Sequence, residues 1–405
     1  MVSDVGTWVQ LIVVGSLVAR QSGSALQTGL IALATIAPQG MCAPFGGLLA
    51  DRYDRRRVFI AGLLGQGVVT AVLAFLVASG VRSALPLSGV ILLSSAAGSF
   101  AAPAYSAMLP DLVPPEELIA MVSLGIYSWN SGRIIGPLLA TVLGGVLGPT
   151  WTVTFNAVSF GVMALAVASV RRSFLPGGDV SGGVRHRLRE GWQALQRTPG
   201  CQAAIGVVML LNVTVAGFMG LIPIYARSVF HGGTQLAGVI SAMQGGGAIV
   251  GSIAVTVLAV RMRRSGLMSF IVPSLFISFL LYAQAPNTGV ACVAVIGLGA
   301  GASSFFVSGM AVAQRDAPAA QRGRVLSLVQ TAMGACYGIG IVVMGGLGDL
   351  FSLRVAFTVG ALAFAAGAIA IVRFFPDWRA VVDGTFTSPT HAVQLDDLAP
   401  SPGSA

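Results

Sequence analysis

Apolar runs recur about a dozen times along this chain, most of them roughly 17–25 residues long, the length at which a helix crosses a ~30 Å hydrocarbon core. They cover residues 5–19, 28–49, 58–79, 87–108, 119–147 and 152–170, then 202–225, 236–260, 267–285, 290–313, 325–347 and 355–375. Only 9% of the residues are charged and 55% are hydrophobic, against about a quarter charged in an ordinary soluble domain. Lipid must therefore be the solvent for most of the chain. Uninterrupted runs of this length satisfy their backbone as helices, whereas barrel strands alternate polar and apolar residues.

The cationic residues orient these spans. The sequence has no lysine, and its 23 basic residues are all arginine. Arg52, Arg55, Arg56 and Arg57 follow the second run, and Arg261, Arg263 and Arg264 follow the eighth. Arg315, Arg322 and Arg324 follow the tenth, six arginines fill residues 171–200, and Arg373 and Arg379 begin the tail. Eighteen arginines thus fall in alternate connections, and only Arg20, Arg82, Arg227 and Arg354 in the others. The positive-inside bias places both termini in the cytoplasm of a multi-pass inner-membrane protein. The net charge of +9 is explained by this topology, so no nucleic-acid partner is expected.

Residues 171–200 divide the runs six and six. Leu188, Trp192 and Leu195 within them have helical spacing, which predicts an amphipathic helix on the cytoplasmic membrane surface. The expected units are a six-helix bundle at 1–170, this linker, a second bundle at 201–375 and a polar, irregular tail at 376–405. Polar turns also repeat between the halves. Pro110-Asp111 follows the fourth run, and Arg315-Asp316-Ala317-Pro318 follows the tenth. The fold expected is an all-α membrane protein of twelve helices in two pseudo-symmetric halves, an architecture of secondary transporters.

Several functions are excluded by what is missing. A nucleotide-binding loop of the Gly-Lys-Ser/Thr type needs a lysine. His186, His231 and His391 all lie outside the apolar runs, and Cys42, Cys201, Cys292 and Cys336 have no metal-like or disulfide-like spacing. No cofactor or metal is expected, and a membrane enzyme or a transport-inactive receptor is the disfavoured alternative. The start carries no basic segment ahead of its apolar core, so no cleavable signal peptide is expected.

The loop Gly47-Leu48-Leu49-Ala50-Asp51-Arg52-Tyr53-Asp54-Arg55-Arg56-Arg57 resembles the signature loop of the major facilitator superfamily, with Asp54 where that pattern usually has glycine. Pro103-Ala104-Tyr105, Pro110-Asp111-Leu112-Val113-Pro114, Arg133-Ile134-Ile135-Gly136-Pro137 and Gln321-Arg322-Gly323-Arg324-Val325 resemble its enterobactin, macrolide and multidrug efflux branch. The resemblance implies that Asp51 faces the N-terminus of the eleventh span, where a helix end favours an anion. Gly47, Asp51, Arg52, Arg55 and Arg56 would then form a cytoplasmic gate, while Arg57 is read as a topology signal only. Gly132, Gly136 and Pro137 are similar to the antiporter motif of the fifth helix, but Leu138-Leu139-Ala140-Thr141 lacks its following glycine pair. Ser3-Asp4-Val5-Gly6-Thr7-Trp8 is similar to a pattern that lies mid-helix in these exporters, which implies a first helix beginning before Met1.

Charge inside a membrane is costly and marks function or a specific polar partner. Arg133, deep in the fifth run, and Asp4 are the proton-coupling candidates. Asp4 is also readable as a plain helix-start carboxylate. Gln10, Tyr105, Asn130, Asn212, Gln244 and Gln330 are the candidates for a substrate cavity, each equally readable as a helix–helix hydrogen bond. The reading is a monomeric exporter of small hydrophobic or amphipathic molecules, working by proton antiport and alternating access, with a facilitator or importer of the same fold as the alternative. On a cysteine-free background, cysteines replacing Arg55, Arg187 or Arg322 are expected to resist an impermeant thiol reagent in intact cells. Cysteines replacing Arg82 or Arg354 are expected to react, and outside labelling at residue 187 would overturn the six-plus-six topology.

Overall fold

A computed structural model describes residues 2–170, 184–318 and 322–385. The linker residues 171–183, Gln321 and the tail 386–405 lie outside the described residues. The described chain is helical, with no strand among these residues. Its first helices are α1 (Val2–Ser22), α2 (Ala25–Met41), α3 (Ala43–Arg52), α4 (Arg55–Ala78), α5 (Ala84–Leu112), α6 (Leu118–Val146), α7 (Gly148–Ser169) and α8 (Val184–Arg197). They are followed by α9 (Pro199–Leu211), α10 (Phe218–Ser228), α11 (Thr234–Leu258), α12 (Arg264–Ala283), α13 (Thr288–Asp316), α14 (Arg322–Leu350), α15 (Leu353–Phe374) and α16 (Trp378–Asp383). Among the described residues ten helices are long and apolar enough to cross a membrane, with α9 and α10 counted as one, and the bent pair α2–α3 makes eleven. Phe75, Leu85, Leu165 and Phe270 are exposed on their helices, as expected of side chains that meet lipid acyl chains.

Short polar residues set several helix starts by taking an otherwise orphaned backbone N–H. Ser24 accepts from Gln27 N at 3.1 Å, Asp54 from Arg57 N at 2.9 Å, Asn287 from Val290 N at 3.0 Å and Ser352 from Val355 N at 3.2 Å. Asp54, the departure from the usual loop glycine, is thus the N-cap of α4.

Two runs break where continuous helices are expected. α2 contains Pro38 and turns by 50° into α3. Proline removes a backbone donor and crowds the preceding turn, which bends helices in this way. The run expected at 202–225 opens into a π-turn over Asn212–Ala216 between α9 and α10. A π-turn adds a residue to one helical turn and rearranges its carbonyls. Asn212 braces it by donating from Nδ2 to Val208 O at 2.8 Å.

Within the first seven helices α4 packs on α5 and α7, α1 on α6 and α7, and α2 on α5. Beyond the linker, α13 packs on α11, α12 and α9, and α12 on α15. The main bridges between these groups are α2 against α14 and α6 against α11. Both are backbone-close. A Cβ on Gly40 of α2 would stand 2.3 Å from Gln330 O of α14, and one on Gly245 of α11 would stand 2.9 Å from Arg133 O of α6. Small residues permit such approach, which is how helices associate without a hydrophobic drive between them.

The linker helix does not only skim a surface. Leu195 is buried with Cys201, Ala317 and Val325, and Gly191 lies against the first turn of α14, while Trp192 is exposed. The tail begins with order as well. Arg315 donates to the Val381 and Val382 carbonyls of α16 at 2.8 and 3.0 Å, and Asp383 accepts from Ser265 N and Oγ at 2.8 and 2.7 Å. Replacing Gly40 with alanine is expected to overpack the α2–α14 seam and cost about 1–3 kcal/mol. Gly246, with no atom within 4 Å of its would-be Cβ, should accept alanine without loss. Thermal unfolding in detergent checks the contrast, and equal midpoints for the two variants would refute the seam's role in stability.

Candidate functional site

A cavity of about 830 Å³ opens among α1, α2–α3, α4, α5, α6, α7 and the start of α14. Its walls are apolar where Phe59, Leu63, Phe160, Met163 and Leu326 meet it. A polar strip crosses them, formed by Asp4, Thr7, Gln39, Gln66, Tyr105, Ser128, Ser327 and Gln330. Such mixed walls suit a ligand that is mostly apolar with a few polar groups.

Asp4 is placed by the first turn of α1, and its Oδ2 accepts from Ser128 Oγ of α6 at 2.5 Å. Close packing holds the two helices in this register. A Cβ on Gly132 would stand 3.3 Å from Asp4 Cβ, and one on Gly136 would stand 2.5 Å from Trp8 Cβ. Gly132, Gly136 and Pro137 therefore sit on the α1-facing and α11-facing sides of α6, with the Pro137 carbonyl close against Gly238. Tyr105 reaches the cavity from α5 and packs against Phe59, with ring centroids 5.3 Å apart.

Of the six polar residues singled out for a cavity, the structure places Tyr105 and Gln330 on its wall. The others sit elsewhere. Gln10 is buried and accepts from Asn156 Nδ2 of α7 at 2.8 Å. Asn212 braces its own π-turn. Gln244 of α11 accepts from Arg133 Nη2 at 3.2 Å. Asn130 lies two residues beyond Ser128, some 200° around α6 from the wall. Wall residues not singled out from sequence include Thr7, Gln39, Gln66, Ser128, Ser327 and the aromatics Phe59 and Phe160. Only three-dimensional register distinguishes them from other polar or aromatic residues in the same runs.

Arg133 bridges α6 to α11. Besides its bond to Gln244, its guanidinium lies 5.7 Å from the Trp8 ring centroid, in cation–π range. A membrane-buried cation is thus held by an amide and an aromatic face, at one of the two main seams between the helix groups.

The loop after α3 distributes its charges over helix ends. Arg55 donates to Ala107 O at 2.9 Å and pairs with Asp111 at 3.3 Å, at the end of α5. Arg56 donates to the Val167 and Ala168 carbonyls at the end of α7. Guanidinium groups complement the negative end of a helix in this position. Arg52 is exposed and lies over the Tyr53 ring. Gly47 borders the cavity, and it is Gly46 that packs tightly on α5, with a would-be Cβ 2.8 Å from Phe100 Cα. Asp51 stands one residue before the end of α3, which packs chiefly on α5 and also touches α14. The first turn of α14 is also met by the linker helix, where Arg324 pairs with Glu190 at 2.6 Å. Arg324 also lines the cavity mouth, so this ion pair stands at the entrance.

The Major Facilitator Superfamily profile matches residues 1–335. The multidrug efflux pump Tap of Mycobacterium tuberculosis is 26% identical over 389 residues, covering 92% of this chain and 91% of that protein. Macrolide efflux protein A of Streptococcus pyogenes is 24% identical over 349 residues, covering 83% of each. Among solved structures, a bacterial homologue of the human lysosomal transporter Spinster, captured inward-facing and unoccupied, aligns with a TM-score of 0.72 at 12% identity. That alignment covers 96% of this chain and 97% of the other, and it supports the fold alone. The chain is a multi-pass membrane transporter rather than an enzyme, and it belongs to the major facilitator superfamily.

Proposed function

We propose that this protein exports small amphipathic molecules from the cytoplasm by alternating access, coupled to proton entry. The architecture in this reading is twelve spans in two halves, with α6 as the span beyond the eleven that pass on length and hydropathy. The units are 1–170 and 201–375, joined by a cytoplasmic linker, with both termini in the cytoplasm of the cell membrane. The observation that carries the reading is the cavity itself. It is walled by helices of the first group and by α14 of the second, and it reaches the Arg-rich end at Gly323 and Arg324. A ligand in it touches both groups, so its binding energy responds to their relative position. The relatives named for drug and macrolide efflux support export of this ligand class. Accumulation assays over dyes, macrolides and siderophores in cells with and without the protein test it. Raised steady-state cargo in expressing cells would favour import and overturn the export direction.

The gate assigned to Asp51 would hold the end of α3 against the first turn of α14 when the cytoplasmic side is closed. A carboxylate at a helix N-terminus contributes about 0.3–2 kcal/mol. Asp51→Asn is therefore expected to slow export severalfold at normal membrane abundance. Wild-type export rates in that variant would remove the residue from the gate.

Coupling is assigned to Asp4, the carboxylate on the cavity wall, with Arg133 as the cation whose seam it influences through α1 and α6. A group that carries a proton in one facing state and yields it in the other can exchange proton for cargo. Asp4→Asn cannot do this. Uphill export and its pH dependence should vanish while downhill exchange persists, measured in proteoliposomes with an imposed proton gradient. Survival of uphill export would place coupling elsewhere.

A further inference from the structure

Asp349 stands one residue before the end of α14, where its charge has the wrong sign. The C-terminal end of a helix carries partial negative charge and favours cations. What compensates it is the start of another helix. Asp349 Oδ2 accepts from Ser24 Oγ at 2.6 Å and from Leu26 N at 3.2 Å, and Oδ1 accepts from Ala25 N at 2.5 Å. Ser24 meanwhile caps α2 by accepting from Gln27 N at 3.1 Å. The first backbone donors of α2, which no helix can satisfy internally, are thus met jointly by its own cap and by α14. Gly345 and Gly348 make room, with would-be Cβ atoms 2.8 Å from Leu26 Cα and 3.0 Å from Ala25 Cβ. The nearby cation Arg354 is engaged elsewhere, donating to Ala285 O at 2.8 Å.

This contact lies at the end of the bundle opposite the cavity mouth. There α2 and α14 are joined by Asp349, and toward the mouth they stay in contact as far as Gly40 and Gln330, beyond which the chain turns by 50° into α3. We infer that Asp349 is a latch that holds the outer end of the transport path shut while the cavity faces the Arg-rich side. The inference rests on the alternating-access reading above. Opening the outer end must pull α2 from α14, which breaks all three bonds and leaves a carboxylate at a helix C-terminus. The latch is the counterpart of the site assigned to Asp51. Because α2 and α14 run antiparallel, closure of the cytoplasmic side in that reading would likewise set Asp51, near the end of α3, beside the start of α14.

Pulsed EPR on a cysteine-free background tests this in reconstituted full-length protein. One spin-label pair, Ser83→Cys with Pro286→Cys, reports the outer face, and a second, Arg57→Cys with Met262→Cys, reports the cytoplasmic face. Asp349→Asn should raise the ratio of outer-open to outer-closed distances about three- to tenfold, the modest range expected of exposed charge-assisted hydrogen bonds. It should shorten the cytoplasmic distances in parallel. Ser24→Ala, which removes one of the three donors, should shift both faces in the same direction by less, and it carries the test if the first variant does not fold. An outer-face distribution unchanged by the substitution, beside a wild type that alternates, overturns the latch and leaves alternating access standing. A wild type with one fixed distance at each face, with and without a proton gradient, overturns both.

Discussion

The antiparallel contact of α2 with α14 is the constraint on which the rest of this structure depends. In lipid no hydrophobic force drives apolar helices together, so association rests on close packing and hydrogen bonds. Gly40 against Gln330, Gly334 against the Ala37 carbonyl, and Gly345 against Leu26 bring the two backbones together over the full length of α2. The seam ends where α2 bends into α3, and the cavity opens there. The second seam, α6 with α11, runs past Arg133, whose backbone carbonyl meets Gly245 while its side chain reaches Gln244. Between these two seams α1 and α2 also pack on α10, with a would-be Cβ of Gly15 3.2 Å from Pro223 and one of Gly220 2.5 Å from Ala32.

The polar chemistry of the membrane region is spare and mostly spoken for. Buried amides pair across helices, as Gln10 does with Asn156, because an unsatisfied polar group costs more in this environment than in water. Many hydroxyls are absorbed by their own helices, for example Thr35 onto the Ile31 carbonyl at 2.8 Å. Against that background the cavity strip stands out. Gln39, Gln66, Ser327 and Gln330 share one water-accessible space with a carboxylate, and aromatic and aliphatic walls surround them. A ligand gains there by burying apolar area, and the scattered amides and hydroxyls offer many alternative hydrogen bonds. Such a wall is compatible with the amphipathic cargo proposed above.

Much of this architecture is legible in the sequence because lipid imposes a length rule that soluble cores do not. The runs at 58–79 and 355–375 correspond within a few residues to α4 and α15, since polar caps such as Asp54 and Ser352 bound them. Breaks inside runs are less legible. Pro38 warns of a bend in α2, but Pro273 sits within α12 without a comparable break, so proline alone does not decide. The π-turn at Asn212–Ala216 has no proline or glycine inside it. Which polar residues face the cavity is the least legible feature. Helical period separates inside from outside when one face is polar and the other apolar. Here both faces are apolar, so Gln10 and Gln66 look alike in sequence although one seals a helix pair and the other lines the cavity. Arg133 and Asp4 are conspicuous for their charge, yet only the structure gives them different partners, Gln244 with Trp8 for one and Ser128 for the other.

The two ends of the α2–α14 pair differ in a way that bears on how cargo moves the protein. At the outer end, one carboxylate takes three donors from the start of α2. At the mouth, the start of α14 is held by the linker helix through Glu190 and Arg324, while α3 leans on α5. Both sets are partly exposed, so each contributes on the scale of about 1 kcal/mol rather than tens. A balance between contacts of that size lies within reach of a ligand's differential affinity, and that difference is all a ligand has for shifting an equilibrium. The cavity supplies the difference, because Gln330 and Ser327 come from α14 while Asp4, Gln39 and Tyr105 come from the other group. In the proposed cycle a cargo bound to both sides would lose part of its contacts when α14 tilts, and a proton taken by the wall would change which tilt it favours. Weak, opposed contacts at the two ends, with a shared wall between them, are the physical conditions under which a small molecule can drive so large a helix bundle.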